Sequence, residues 1–189
     1  MGRKILFIID MQNDFINGAF GSEDAQRAVP NVIDIIDGFR RSNNNDTNDM
    51  IFYTLDTHYE NYLNTFEGKN LPVKHCIENT TGWELNSDIK DAINQYPRHL
   101  VKCFRKNTFG SLTMVHEASL VLWEDMNSND EIFICGLCTD ICVISNALLL
   151  RAQFPNLKIT CYKDACAGTS KEAHDAALTI MKSNQIEII

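Results

Sequence analysis

The pattern that most constrains the fold is the repeated alternation of short apolar runs with segments of helical periodicity. The first run is Lys4 followed by five apolar residues, as expected of a strand buried on both faces of a sheet. Residues 28–40 then place apolar side chains three and four positions apart, which is the period of a helix. Further strands are predicted at residues 50–55, 100–104, 131–136, 157–162 and 186–189, and further helices at residues 87–95, 112–125, 140–153 and 169–183.

Strands separated by helices predict an α/β fold with three layers, α/β/α, around a central and mostly parallel six-stranded sheet, a Rossmann-like arrangement. The chain shows no linker and no internal repeat, so we expect residues 1–189 to form a single domain. Residues 42–49 read as a polar loop, and residues 56–82 as a long functional loop. Because sites in parallel sheets lie beyond the carboxyl ends of the strands, the site is predicted around Asp10, Asp56, Lys106 and the turn at residues 136–142.

Charge and cysteine content exclude several classes of protein. With 17 basic and 25 acidic residues the chain has a formal net charge of −8, which disfavours nucleic acid as a partner because Lys and Arg supply most of that affinity. No apolar run approaches the roughly 18 residues of a membrane span, and the first run is too short for a secretory signal. Seven cysteines, an odd number, argue against a disulfide framework, so we expect a cytoplasmic protein with reduced thiols. Nucleotide-phosphate motifs and G-x-S-x-G are absent from the sequence.

One cysteine in the turn after the fourth predicted strand is a candidate nucleophile. If Thr139 caps the following helix, Cys142 falls in the first helical turn, where free backbone N–H groups and the helix dipole favour a thiolate and could hold an oxyanion. The alternative is a buried cysteine that only packs on the helix face. Cys135 and Cys138 have the spacing of a zinc or redox pair, but Cys135 lies inside a strand pattern, which favours packing.

An acidic and a basic residue at the ends of two other strands are candidates for acid–base and electrostatic roles. Asp10 ends the first strand and either begins the next helix or acts in catalysis, with Asp14 as the competing acid. Lys106 follows the third predicted strand and could stabilise a thiolate or an oxyanion, unless it is an ordinary solvated lysine. Lys102 is the competing lysine.

The long loop contains residues of the types that bind a metal. Asp56 and His58 follow the second strand two positions apart and can point to the same side, and Glu67 and His75 lie downstream. Two imidazoles and a carboxylate suit Zn²⁺, Fe²⁺ or Mn²⁺. The alternative is a set of separate loop residues with local hydrogen bonds.

Four separated segments carry a resemblance that spans nearly the whole chain. They are FIIDMQNDF at residues 7–15; DTH at 56–58 with PVKHC at 72–76 and TTG at 80–82; Lys106 three residues before Phe109; and GLCTDICV at 136–143. Together and in this order they resemble the isochorismatase-like cysteine hydrolases, a superfamily that includes the nicotinamidases. The loop segments resemble the metal-binding loop of the nicotinamidase branch.

Carried over by position, this resemblance implies three catalytic residues and an oxyanion hole. Cys142 is implied as the nucleophile, Asp10 as the general base and Lys106 as the third catalytic residue. A cis peptide between Leu137 and Cys138 is also implied, which would turn the backbone N–H groups of Cys138 and Cys142 into the oxyanion hole.

The resemblance further implies a metal site and a small-molecule pocket. Asp56, His58 and His75 are the implied ligands of a divalent metal, zinc above all with iron or manganese as alternatives, and Glu67 is the candidate fourth ligand. Phe15, which could stack on a flat ring, and Leu137 are the expected substrate-binding side chains. Homo-oligomers are common in the resembled superfamily, so a homo-oligomer is expected.

The implied reaction is hydrolysis of a small amide, above all nicotinamide, through a thioester on the cysteine. Two departures from the branch, Leu71-Pro72 where many members have Trp-Pro and FGSL at residues 109–112 in place of Tyr-Ser-Ala-Phe, keep other substrates open. One alternative is a related cysteine amidase for another small amide or a carbamoyl compound. The others are a non-catalytic metal- or ligand-binding domain on the same fold and a flavodoxin-type nucleotide binder.

Overall fold

The computed structural model describes residues 2–43, 48–122 and 129–189. Its centre is a single six-stranded sheet made of β1 (Lys4–Ile9), β2 (Met50–Asp56), β3 (Val101–Lys106), β4 (Glu131–Leu137), β5 (Lys158–Ala167) and β6 (Glu187–Ile188). The strand order is β3-β2-β1-β4-β5-β6, and each neighbouring pair is parallel. The predicted α/β fold with a six-stranded parallel sheet is confirmed.

The described helices are α1 (Asn13–Ile16), α2 (Glu23–Asn43), α3 (Phe66–Asn70), α4 (Ser87–Asn94), α5 (Leu112–Leu122), α6 (Ile144–Gln153) and α7 (Lys171–Ser183). Short 3₁₀ turns lie at Tyr62–Asn64 and Arg98–Leu100, and a π-helical turn, Thr139–Val143, leads into α6. Helix α2 packs against α4, whereas α5, α6 and α7 pack in sequence, so the two groups cover opposite faces of the sheet, as right-handed crossovers require. None of these described helices is long and apolar enough to cross a membrane.

Several element boundaries differ from the sequence prediction. Helix α2 begins before residue 28 because the Ser22 hydroxyl accepts a hydrogen bond from the Ala25 N–H (3.1 Å), and the helix continues through Pro30. Strand β3 runs on to Lys106 and β5 to Ala167. Residues 44–47 of the predicted polar loop and 123–125 of the helix predicted at residues 112–125 lie outside the described residues.

The predicted cap at Thr139 is wrong. The residue that precedes the π-helical turn is Cys138, and it provides no side-chain cap. The Thr139 hydroxyl instead lies 2.8 Å from Nδ1 of His174 on α7. A tertiary partner has therefore replaced the local one.

Helix α7 begins later than the predicted residue 169, because its capping residue is Ser170. Ser170, rather than Thr169, accepts the N–H of Ala173 at 3.1 Å. The Thr169 hydroxyl donates to the carboxylate of Asp140 in the turn after β4 (2.6 Å). Both corrections come from contacts that join the β4 turn to α7, which no local sequence pattern encodes.

The buried centre of the sheet is β1, where Ile5, Leu6, Phe7, Ile8 and Ile9 are fully buried. Strands β2 and β3 extend the sheet on one side of β1, and β4, β5 and β6 extend it on the other side. The direction in which the chain adds strands therefore reverses at the β1–β4 pair. In open parallel sheets a crevice forms at this switch point beyond the carboxyl ends of the strands. The fold therefore places its ligand crevice at the end of β1 and at the turn after β4.

A glycine keeps these two strands close at that point. Gly136 pairs with Ile9 and has φ +122, a conformation that L side chains rarely adopt. A Cβ on Gly136 would lie 2.1 Å from the carbonyl oxygen of Ile9. The approach of β4 to β1 at the crevice therefore requires glycine.

We expect Gly136→Ala to lower the free energy of unfolding by more than about 2 kcal/mol, because the new methyl group meets backbone and the φ is strained. Gly38 is the matched control, since it lies within α2 and a Cβ there meets nothing within 4 Å. Gly38→Ala should be neutral or stabilising by up to about 1 kcal/mol. Denaturant titration measures both variants, and equal effects would contradict the stated role of Gly136.

Candidate active site and metal centre

Four predicted site residues come from the carboxyl ends of four adjacent strands. Asp10 follows β1, Asp56 ends β2, Lys106 ends β3, and Cys142 lies in the π-helical turn after β4. Asp56 and Lys106 are register partners in the β2–β3 pair. Because β3, β2, β1 and β4 are consecutive in the sheet, their ends line one edge and the four side chains meet there.

The ammonium group of Lys106 lies at the centre of this cluster. Its Nζ is 2.6 Å from Oδ2 of Asp10, 3.5 Å from Sγ of Cys142 and 3.5 Å from Oδ1 of Asp56. All four residues are buried, and the Asp10 side chain is fully so. The competing Lys102 instead pairs with Glu117 at 2.6 Å on the surface, with its side chain 39% exposed.

Burial controls the electrostatics of the cluster. It raises the pKa of the Asp10 carboxyl, and Lys106 opposes this rise. Burial also raises the pKa of the Cys142 thiol well above its ordinary value; the Asp10 carboxylate raises it further and Lys106 lowers it. Burial alone would lower the pKa of Lys106, but Asp10, Cys142 and Asp56 raise it above its ordinary value.

The charged Lys106 therefore lies beside two buried acids, Asp10 and Cys142, and burial disfavours the ionised form of both. A carboxyl is intrinsically a stronger acid than a thiol, so the free protein holds an Asp10 carboxylate and a Cys142 thiol. Lys106 favours a Cys142 thiolate, but burial and Asp10 outweigh it, so the pKa of the thiol is raised. Any thiolate must arise by passing the proton to a neighbour.

The carboxylate of Asp10 is held in place by a threonine on β2. The Thr54 hydroxyl donates to Oδ1 of Asp10 at 2.6 Å and accepts the Asp10 N–H at 3.1 Å. Asp10 itself has φ 47, an unusual conformation for a residue other than glycine. The competing acid Asp14 has a different task, since its Oδ2 accepts the backbone N–H of Cys76 (2.7 Å), the residue after His75.

The turn that carries Cys142 has the backbone expected from the resemblance. The peptide between Leu137 and Cys138 is cis. The Cys138 carbonyl accepts the N–H groups of Ile141 and Val143, each at 3.1 Å. The oxyanion role of Cys138 and Cys142 remains a prediction.

A cavity of about 260 Å³ opens onto the cysteine. Phe15 and Leu137, the predicted substrate-binding residues, both line it, together with Phe20, Leu71, Phe109 and Ile141. Asp56, Glu67, His75, Cys138 and Cys142 supply its polar and reactive groups. The volume is below the roughly 300–1,000 Å³ of typical drug-sized pockets, which indicates a small ligand.

Asp56, His58 and His75 form a compact group whose ligand atoms all lie within 4.8 Å of one another. Oδ2 of Asp56 is 2.9 Å from Nε2 of His58 and 3.4 Å from Nε2 of His75. His75 has its Nδ1 at 2.9 Å from the carbonyl of Val73, which leaves its Nε2 facing the group. Nε2 of His58 is buried and faces the Asp56 carboxylate without forming an aligned hydrogen bond to it. The donor set therefore fits a divalent cation.

Glu67 lies beside this group without being part of it. Its Oε1 is 3.6 Å from Nε2 of His58 and 3.8 Å from Nε2 of His75. The hydroxyl of the fully buried Tyr62 lies 3.4 Å from the same oxygen. Its role as a fourth ligand remains a prediction.

Sequence reasoning missed the residues that support the site. Besides Thr54, these include Gln12, whose fully buried amide accepts the Asp56 N–H (2.7 Å) and donates to the Asp56 carbonyl (2.8 Å). They also include Tyr62, with its ring centroid 4.6 Å from that of His58, and Phe20, at 4.8 Å from His75. The available signal was that Gln12 lies within FIIDMQNDF, one of the segments that carry the resemblance.

Fold and site together define a class of parallel α/β proteins with a buried Cys, Asp and Lys at the switch point of the sheet and a His-His-Asp group beside them. The model of the isochorismatase domain matches residues 4–189, and the chain belongs to the isochorismatase family. The flavodoxin-type alternative is therefore wrong.

Relatives within the family extend over nearly the whole chain. A nicotinamidase of Schizosaccharomyces pombe is 26% identical over 213 residues, covering 97% of this chain and 91% of the relative. The structure of a pyrazinamidase of Pyrococcus horikoshii in complex with zinc is 25% identical, with a TM-score of 0.76 and 98% of each chain covered. That of a pyrazinamidase/nicotinamidase from Streptococcus mutans is also 25% identical, with a TM-score of 0.78, covering 98% of this chain and 99% of the other.

The metal group gives a direct prediction. His58→Ala should weaken Zn²⁺ binding by at least about 100-fold, because it removes one of three clustered donors. His116→Ala is the matched control, since His116 is exposed on α5 and belongs to no such group. Competition against a coloured zinc chelator measures both affinities. Unchanged binding in His58→Ala would show that zinc is held elsewhere.

Proposed function

We propose that the protein is a cysteine amidohydrolase that converts nicotinamide and water to nicotinate and ammonia through a thioester on Cys142. The observation that carries the proposal is the position of the Lys106 ammonium, which contacts both Asp10 and Cys142, the cysteine that lines the small cavity. The named activities of the relatives point to the same chemistry.

In the acylation step Asp10 accepts the thiol proton of Cys142, and the sulfur attacks the amide carbonyl carbon. The developing oxyanion accepts hydrogen bonds from the backbone N–H groups of Cys138 and Cys142; one such donor is worth about 10²–10³ in kcat. Asp10 then gives its proton to the departing nitrogen, so ammonia leaves and a thioester remains. Lys106 stays charged throughout and compensates whichever acid is ionised.

In the deacylation step Asp10 accepts a proton from water, and the resulting hydroxide attacks the thioester carbonyl. Collapse of the intermediate breaks the carbon–sulfur bond and releases the carboxylic acid. The proton on Asp10 returns to the sulfur and restores the thiol. One water is consumed for each ammonia released.

The His-His-Asp group is proposed to hold a divalent cation, most readily zinc. When bound there, the cation would supply a Lewis acid that orients a lone pair of the substrate, such as that of a pyridine nitrogen. Phe15 and Phe20, whose rings are nearly parallel with centroids 6.2 Å apart, line the cavity and can pack against a flat ring.

A second candidate is a different small amide or a carbamoyl compound, processed by the same residues. It is favoured by Leu71 and Phe109, which line the cavity where the sequence departs from the nicotinamidase branch. Cytoplasmic location, a single domain over residues 1–189 and a homo-oligomer remain predictions.

The proposed reaction is tested by ammonia release from nicotinamide, measured with zinc-loaded wild type and two cysteine variants. Cys142→Ala should lose at least about 10⁴-fold in kcat/KM because it removes the thiol that lies beside Lys106. Cys103→Ala, which removes an exposed thiol, should keep wild-type turnover. Both variants should unfold at the wild-type temperature. Turnover retained by Cys142→Ala would eliminate the thioester.

If the wild type releases no ammonia from nicotinamide, the substrate assignment fails. The same assay with carbamoyl compounds and other small carboxamides then separates the second candidate from a non-catalytic protein. Turnover of any of them that disappears in Cys142→Ala would keep the cysteine mechanism.

A further inference from the structure

Asn146 on α6 is fully buried, and its side-chain amide joins the nucleophile turn to the segment after β3. Its Nδ2 donates to the carbonyl of Cys142 (2.8 Å) and to that of Phe109 (3.1 Å). Its Oδ1 accepts the backbone N–H of Ser111 at 2.8 Å. The amide therefore has a partner for both its donor and its acceptor side.

The segment held in this way forms part of the reaction cavity. Phe109 lines the cavity, although its side chain is 46% exposed and has solvent on one side. Gly110 lies directly on α6, where an added Cβ would be 2.6 Å from Cδ1 of Leu149. Ser111 then accepts the Met114 N–H at 3.2 Å and starts α5. The hydrogen bonds from Asn146 to residues 109 and 111 therefore lie on either side of Gly110, where this segment contacts α6.

Asn146 makes one hydrogen bond within its own helix and two to the segment after β3, and the neighbouring Ser145 provides a comparison for the first kind. Ser145 donates its hydroxyl to the carbonyl of Ile141 one turn back (2.6 Å), the same kind of bond that Asn146 makes to Cys142. A hydroxyl is sufficient for that local bond. Only the longer amide of Asn146 also reaches Phe109 and Ser111, which lie 37 and 35 residues away in sequence.

We propose that Asn146 is a positioning residue that holds Phe109 as a wall of the substrate site and so sets the affinity for ring-bearing substrates. This inference rests on the proposed function, because it concerns the cavity above the Cys142 nucleophile. Asn146 acts through the Phe109 backbone and leaves the reactivity of the thiol itself unchanged.

The test uses two alkylating probes on the full protein. Phenacyl bromide carries an aryl ring and iodoacetamide carries none; each loses its halide as the Cys142 sulfur forms a bond to carbon. Asn146→Ser keeps a hydroxyl for the local bond but cannot reach residues 109–111. We expect the half-saturating phenacyl bromide concentration of Asn146→Ser to rise about tenfold, which is within the range of interaction energies for residues in contact. The iodoacetamide rate should stay within about twofold of the wild-type rate.

Matched variants distinguish positioning from a general loss of structure. Ser145→Ala should leave both probes unaffected, because its hydrogen bond stays within the nucleophile turn and does not reach residues 109–111. Phe109→Ala should raise the phenacyl bromide constant, and adding Asn146→Ser to it should change that constant little further, since the residue acts through Phe109. Circular dichroism and thermal melting confirm that each variant is folded, and Asn146→Ala provides a second substitution.

Three results would overturn the inference, and only the third also overturns the proposed function. If Cys142 of the wild type is labelled saturably by phenacyl bromide but folded Asn146→Ser has the same constant, Asn146 does not position the wall. Additive effects of Asn146→Ser and Phe109→Ala would lead to the same conclusion. If neither probe labels Cys142 ahead of the other thiols, the nucleophile fails, and both the proposed function and this inference fail with it.

Discussion

The buried ammonium of Lys106 is the interaction on which the rest of the site depends. It comes from the end of β3 and lies within 3.5 Å of groups on Asp10, Asp56 and Cys142. An unpaired charge at this depth would be strongly destabilising, so the lysine and its acids require one another. Passing a proton from Cys142 to Asp10 moves one negative charge from the carboxylate to the sulfur, and the net charge beside Lys106 stays the same. The proposed nucleophile therefore forms among buried side chains without adding net charge.

The topology explains why these residues meet although they are far apart in sequence. Strand β1 is central, and its neighbours on both sides end at the same edge, so four strands deliver one group each. The long connection from β2 to β3 then supplies the histidines and folds back over the crevice. Asp56 belongs to both parts of the site, since its Oδ1 faces Lys106 and its Oδ2 faces His58 and His75. The metal group and the candidate catalytic cluster are thus joined through one carboxylate.

Local patterns were sufficient to predict the strands, most helices and the parallel sheet, because burial on both faces leaves continuous apolar runs. They also placed Asp10, Asp56 and Lys106 at strand ends.

Local patterns failed where a tertiary partner replaces a local one: Thr139 bonds His174 rather than capping a helix. The resting charge state of Cys142 was likewise beyond reach, since it depends on the burial of Asp10 and on residues brought together only by the fold. Asn146 gives no sequence signal, because its importance lies in bonds to residues 109 and 111.

The most direct test is the ionisation of Cys142, followed by the ultraviolet absorbance of its thiolate as the pH is raised. The spectrum of Cys142→Ser, subtracted at each pH, removes the other six thiols. We predict no Cys142 thiolate in the wild type at neutral pH, because burial and Asp10 hold its pKa high. In Asp10→Asn the carboxylate is gone and Lys106 remains, so the thiolate should appear at lower pH. A wild-type thiolate at neutral pH, or an unchanged titration in Asp10→Asn, would contradict the shared-proton account.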